Sequence, residues 1–98
     1  MLEPIEIARE ATAIARKNFG VDRVVRAIVE PALDSVGDAA WRITIVIKPE
    51  AVAAVGGEAV FNNFMQIGDR LRESGDESFP LVRYATEEEL HERADSES

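Results

Sequence analysis

The chain has 98 residues, 46% of them hydrophobic and 31% charged, the size and balance of one ordinary globular domain and not of a disordered or fibrous chain. It contains no cysteine, which excludes disulfides, thiolate metal sites and a cysteine nucleophile, and fits a reducing, cytoplasmic setting. The net charge is −8, the opposite of the cationic surface that general nucleic-acid or anionic-membrane binding draws on.

The charge is uneven. Residues 76–98 hold eight acidic and two basic side chains, while residues 1–75 hold eleven acidic and nine basic. A nearly neutral body therefore carries an acidic C-terminal extension. Arginine outnumbers lysine nine to two, a codon signature of a GC-rich bacterial genome. Met1-Leu2-Glu3-Pro4 begins acidic, with no basic region ahead of an apolar run, so no signal peptide is expected. No apolar run approaches the length needed to span a bilayer.

In chain order, residues 4–19 read as a helix. Pro4 suits its first position, Ile7, Ala8, Ala11, Ile14, Ala15 and Phe19 form one apolar stripe, and Gly20 is a natural stop. Residues 21–32 read as a strand, with Val25, Ala27 and Val29 on one side and Val24, Arg26 and Ile28 on the other. The run Asp34-Ser35-Val36-Gly37-Asp38 is dense in turn formers and predicts an antiparallel hairpin. The strand at 41–48 has the cleanest period of two: Trp41, Ile43, Ile45 and Ile47 on one side, Arg42, Thr44, Val46 and Lys48 on the other. Residues 51–55 suggest a short helical turn. Val60, Phe61, Phe64, Ile67, Gly68 and Leu71 recur at helical spacing within 58–73, where Gly68 invites close packing on the sheet. Residues 81–84 form a short third strand. Thr86-Glu87-Glu88-Glu89 is a capping box that opens a brief last helix to about residue 93, with 95–98 frayed.

The expected fold is α+β: a two-layer sandwich in the order α-β-β-α-β(-α), with a three-stranded mixed sheet and two helices on one face. Residues 1–85 make the single domain and residues 86–98 the acidic extension. The Trp41 row faces the helices. The other face shows Val24, Arg26, Ile28, Arg42, Thr44, Val46, Lys48 and Arg83, with no third layer to cover it. It reads as a solvated face or as a docking surface with an apolar centre and a basic rim. On the second reading, Val46→Asp weakens a contact and leaves the fold intact.

Counting 51–55 as a helix, the order α-β-β-α-α-β would resemble the type II KH domain, an RNA-binding fold, in outline over most of the chain. That family clamps the nucleic-acid backbone with a GXXG loop between two helices. The corresponding place here is Val55-Gly56-Gly57-Glu58-Ala59, where the glycine spacing differs and an acid replaces a base, so membership is not assigned. The same stretch lacks the Gly-Lys-Ser/Thr ending of a phosphate loop and the third glycine of a dinucleotide loop. His91 stands among glutamates on a terminal helix, a poor metal pair. Asp34 and Asp38 most simply shape their turn. Asn62 and Asn63 suit polar contacts on a helix flank, and Leu90 and Ala94 form a small apolar edge. With no nucleophile–base pair, metal set or cofactor loop, no cofactor is expected. The expected role is a non-enzymatic protein–protein interaction, as a homodimer or as the small acidic partner of a second protein, antitoxin-like by analogy of size and charge alone. The alternatives are a nucleic-acid module using the basic face and a small enzyme without a recognisable motif.

Overall fold

The computed structural model describes the backbone of residues 1–97 and the side chains of residues 1–93. The first helix, α1 (Pro4–Phe19), begins with Pro4 at its first turn. The Glu6 carboxylate accepts the Glu3 backbone N–H at 3.1 Å, pairing one of the amides that every helix start leaves over. The chain leaves α1 through Gly20 at φ 114°, a backbone angle that disfavours a side chain. Strands β1 (Val24–Leu33) and β2 (Ala39–Ile47) form the hairpin, a 3-10 turn follows at Pro49–Ala54, then α2 (Gly57–Glu73), β3 (Phe79–Ala85) and α3 (Glu87–Glu97). The last helix passes the stop expected near residue 93 and runs on through residues 95–97, which the sequence reading expects to fray; Ser98 lies outside the described residues.

The hairpin closes as its residues dictate. The Asp34 carboxylate accepts the amides of Val36 and Asp38 at 3.0 and 2.9 Å, an Asx turn, and Gly37 takes φ 88°. The sheet order is β1-β2-β3, with β1 antiparallel and β3 parallel to β2. The parallel pair requires a crossover, which the 3-10 turn and α2 supply.

Both long helices lie on the Trp41 face. Ile7, Ala11, Ala15 and Phe19 of α1 and Ile67 and Leu71 of α2 enclose Ile43, Ile45 and Ile47. Each of these isoleucines contributes about 2 kcal/mol by leaving water. Gly68 permits the contact of α2 with β3: a Cβ there would stand 3.8 Å from the Pro80 ring and 3.3 Å from the Arg72 guanidinium. Glu10 and Arg70 tie the two helices together at 3.2 Å.

β1 departs from simple alternation. Val24 is paired with Ile47 and Arg26 with Val46, so Val25 is an extra residue. A bulge of one residue moves everything before it to the other face. Val24 is therefore a core residue, not part of the outer face where strict alternation places it. The bulge is held from α1: Arg16 donates to the Val24 and Val25 carbonyls at 3.3 and 2.9 Å. Two residues on, the Ala27 amide donates to Thr12 Oγ1 at 2.9 Å. Side chains of α1 thus occupy the free edge of β1 from Val24 to Ala27.

Thr12→Val keeps the shape of the side chain and removes that acceptor. It is expected to lower stability by about 1–2 kcal/mol and to speed hydrogen exchange at the Ala27 amide, read by urea titration and by NMR. An Ala27 amide that stays as protected as before would show that Thr12 does not occupy the edge there.

Candidate functional site

The outer face of the sheet consists of three cross-strand rows: Glu30–Arg42–Leu81, Ile28–Thr44–Arg83 and Arg26–Val46–Ala85. It is not the bare wall that alternation suggests. Thr44 is 1% exposed and Val46 0%. Arg83 lies across the middle row and donates from Nε to Thr44 Oγ1 at 2.8 Å. Arg26 pairs with Glu87 at the start of α3, bridging from β1 to the far side of β2 across the Val46 row. The hydrogen bond from the guanidinium holds the Glu87 carboxyl below its ordinary range; desolvation opposes it, and the guanidinium charge adds a smaller lowering effect.

Of the eight residues expected on this surface, Val24 belongs to the core, and Thr44 and Val46 are sealed within the monomer. Lys48 lies past the end of β2, exposed, at the head of the 3-10 turn. Arg26, Ile28, Arg42 and Arg83 do share the face. Arg26 is held by Glu87, while Arg42 is exposed and forms no ion pair among the described residues.

The more accessible apolar surface lies at the β3 edge. β3 is the last strand of the sheet. Among the described residues, no group outside the sheet hydrogen-bonds to the backbone of Phe79–Ala85. Between this strand and α2 runs a cleft of about 380 Å³ lined by Gly56, Gly57, Val60, Phe61, Phe64, Val82 and Tyr84. A second hollow of about 310 Å³ lies around the strand itself, lined by Arg42, Phe64, Phe79, Pro80, Leu81, Val82 and Arg83. Phe64 and Val82 belong to both. Phe61 is 61% exposed and Phe79 49%, and the Phe79 ring lies 5.7 Å from that of Phe64.

The floor of the cleft is fixed by a polar network. Asn63 is fully buried and donates to Tyr84 Oη at 3.0 Å, while its own Oδ1 accepts from Asn18 at 3.2 Å. Asn18 also reaches Gln66 Oε1 at 3.1 Å. Tyr84 stands edge-on to Phe19, centroids 5.5 Å apart. Burial pushes the Tyr84 hydroxyl above its ordinary pKa, and the Asn63 hydrogen bond partly opposes this. The network leaves the tyrosine ring little freedom, so the cleft keeps its shape.

Sequence periodicity did carry a trace of this site. Val60, Phe64, Ile67 and Leu71 fill one helical face, which leaves Phe61 and Met65, one turn apart, exposed on the neighbouring face among the described residues. The stripe was wider than the core required. Asp34 is engaged in its turn, His91 is exposed on α3, Leu90 is half-buried, and the side chain of Ala94 lies outside the described residues. No described helix is long and apolar enough to cross a membrane. Comparison with family models, with curated proteins and with solved structures gives no match.

Proposed function

We propose that this is a small bacterial cytoplasmic protein that acts by binding protein, without catalysis, and that it does so at the β3 edge and the cleft beside it. One observation carries the reading: an open strand edge bordered by exposed Phe61 and Phe79. Large apolar rings beside unpaired backbone are costly to leave in water and invite pairing, and monomeric proteins usually cover such edges. The same chain engages the first part of its other edge, Val24 to Ala27, with Thr12 and Arg16. The basic outer face supports nucleic-acid binding less well. Arg26 is neutralised by Glu87, and only Arg42 and Arg83 remain as cations without an acidic partner on that face among the described residues, a short basic track on a chain of net charge −8.

The test is Phe61→Asp, an exposed position where the fold tolerates a charge. The native chain is expected to form a complex, seen in light scattering of the pure protein if the partner is a second copy and in crosslinking in cells if it is another protein, and to lose it in the variant, with circular dichroism unchanged. A complex that survives Phe61→Asp, or a native chain that stays monomeric and acquires no crosslink, would overturn the proposal.

A further inference from the structure

We infer that the occupant of this site is an extended segment of a different protein, added as a fourth strand along β3, with apolar and acidic side chains alternating along it. The inference rests on the protein-binding reading above and specifies the chemistry of the partner.

The backbone comes first. An edge strand offers an alternating row of amides and carbonyls, and a partner strand satisfies them all at once. Pro80 has no amide, so the useful stretch runs from Leu81 to Ala85. Nothing among the described residues competes for it.

The hollows on the two sides of β3 then set the side chains. Side chains of an added strand point alternately to the two faces of the sheet. On the α2 side they meet Val60, Phe61 and Phe64, so apolar residues fit there. On the outer side they meet Arg42 and Arg83. Arg26, Arg70 and Arg72 are paired with acids. Among the described residues Arg42 has no such partner, and Arg83 bonds only to the neutral Thr44. Two cations on one rim select carboxylates at alternate positions of the guest.

The same charge argument disfavours a second copy pairing through its own β3. That strand, Phe-Pro-Leu-Val-Arg-Tyr-Ala, has no acid. Pairing it with itself would bring Arg83 towards the basic rim of the other molecule and add no acid to it.

The experiment uses the full chain and synthetic seven-residue peptides, the length of β3. One alternates valine and glutamate, one alternates valine and lysine, and two are the glutamate peptide N-methylated at one or the other set of alternate amides. Binding is followed by NMR on the protein amides. The glutamate peptide is expected to bind, with shifts centred on Leu81–Ala85 and on Phe61 and Phe64. The lysine peptide should be weaker by on the order of tenfold. Arg42→Glu, at an exposed position, should narrow or reverse that preference. N-methylation on the pairing side should abolish binding, which separates strand addition from mere lodging in the cleft.

Equal binding of the glutamate and lysine peptides, or full binding by both N-methylated registers, would overturn the inference. If the chain instead forms a dimer that Phe61→Asp disrupts and no peptide competes for it, the occupant is a second copy. That result rejects this partner and leaves the protein-binding reading standing.

Discussion

Val46→Asp is expected to destabilise the whole fold strongly, not merely to weaken a surface contact. Val46 has no exposed surface although it points away from the two long helices. Its row neighbours are Arg26 and Ala85, and the Arg26–Glu87 pair passes over it. A carboxylate here must either ionise in a sealed space or take up a proton, and drawing Arg26 inward to neutralise it breaks the pair with Glu87. The cost is about 3–5 kcal/mol, a large part of what a domain of this size possesses. Val46→Ala, which only leaves a cavity, should cost about 1–2 kcal/mol. Urea titration followed by circular dichroism checks both. An aspartate variant with a native urea midpoint would mean that the face is open to water.

Removing the Asp76 carboxylate has the next largest effect. Asp76 is 2% exposed and joins two parts of the chain. Its Oδ2 accepts the Trp41 indole N–H at 2.7 Å and its Oδ1 the Ser78 amide at 2.9 Å. Burial alone would raise its pKa, but the hydrogen bonds from Trp41 and Ser78 outweigh it, and the carboxyl ends below its ordinary 3.8. Asp76→Ala leaves the indole without an acceptor and should cost about 2–3 kcal/mol near neutral pH. The sign of the pH dependence follows from the direction of the shift. The folded state binds this proton less readily than the unfolded one. The stabilisation is therefore fully present above the unfolded value and is lost as the pH falls through the lower, folded value. Urea titrations of the native chain and of Asp76→Asn at about pH 7 and about pH 3 should show the gap between them narrowing in acid. A gap that is constant, or wider in acid, would contradict the role given to the charge.

Most of the architecture was legible in the amino-acid order. The apolar stripe of α1, the alternation of β2 and the capping box at Thr86 are local patterns, and they set the two-layer α+β arrangement with α1 and α2 on the Trp41 side. What could not be read was long-range. Val24 changes sides because of a bulge that Arg16, eight residues away, pins by its carbonyls. Thr44 and Val46 are sealed by Arg83 and by the Arg26–Glu87 pair, whose members stand 39 and 61 residues from their partners. Alternation reports the direction of a side chain, and it is blind to what arrives above it. Asp76 looked like one of many acids near a turn, and only the fold brings Trp41 to it.

The unequal treatment of the two outer strands has a consequence for assembly. With the first part of one flank occupied by α1 and Pro31 breaking the remainder, growth by backbone pairing is favoured at β3. A head-to-tail ribbon of copies needs both flanks, and so does a fibril. The molecule is therefore lopsided in this respect: β3 offers the longer run of free backbone, Phe79–Ala85, and the opposite flank only the stretch beyond Val29, which Pro31 interrupts.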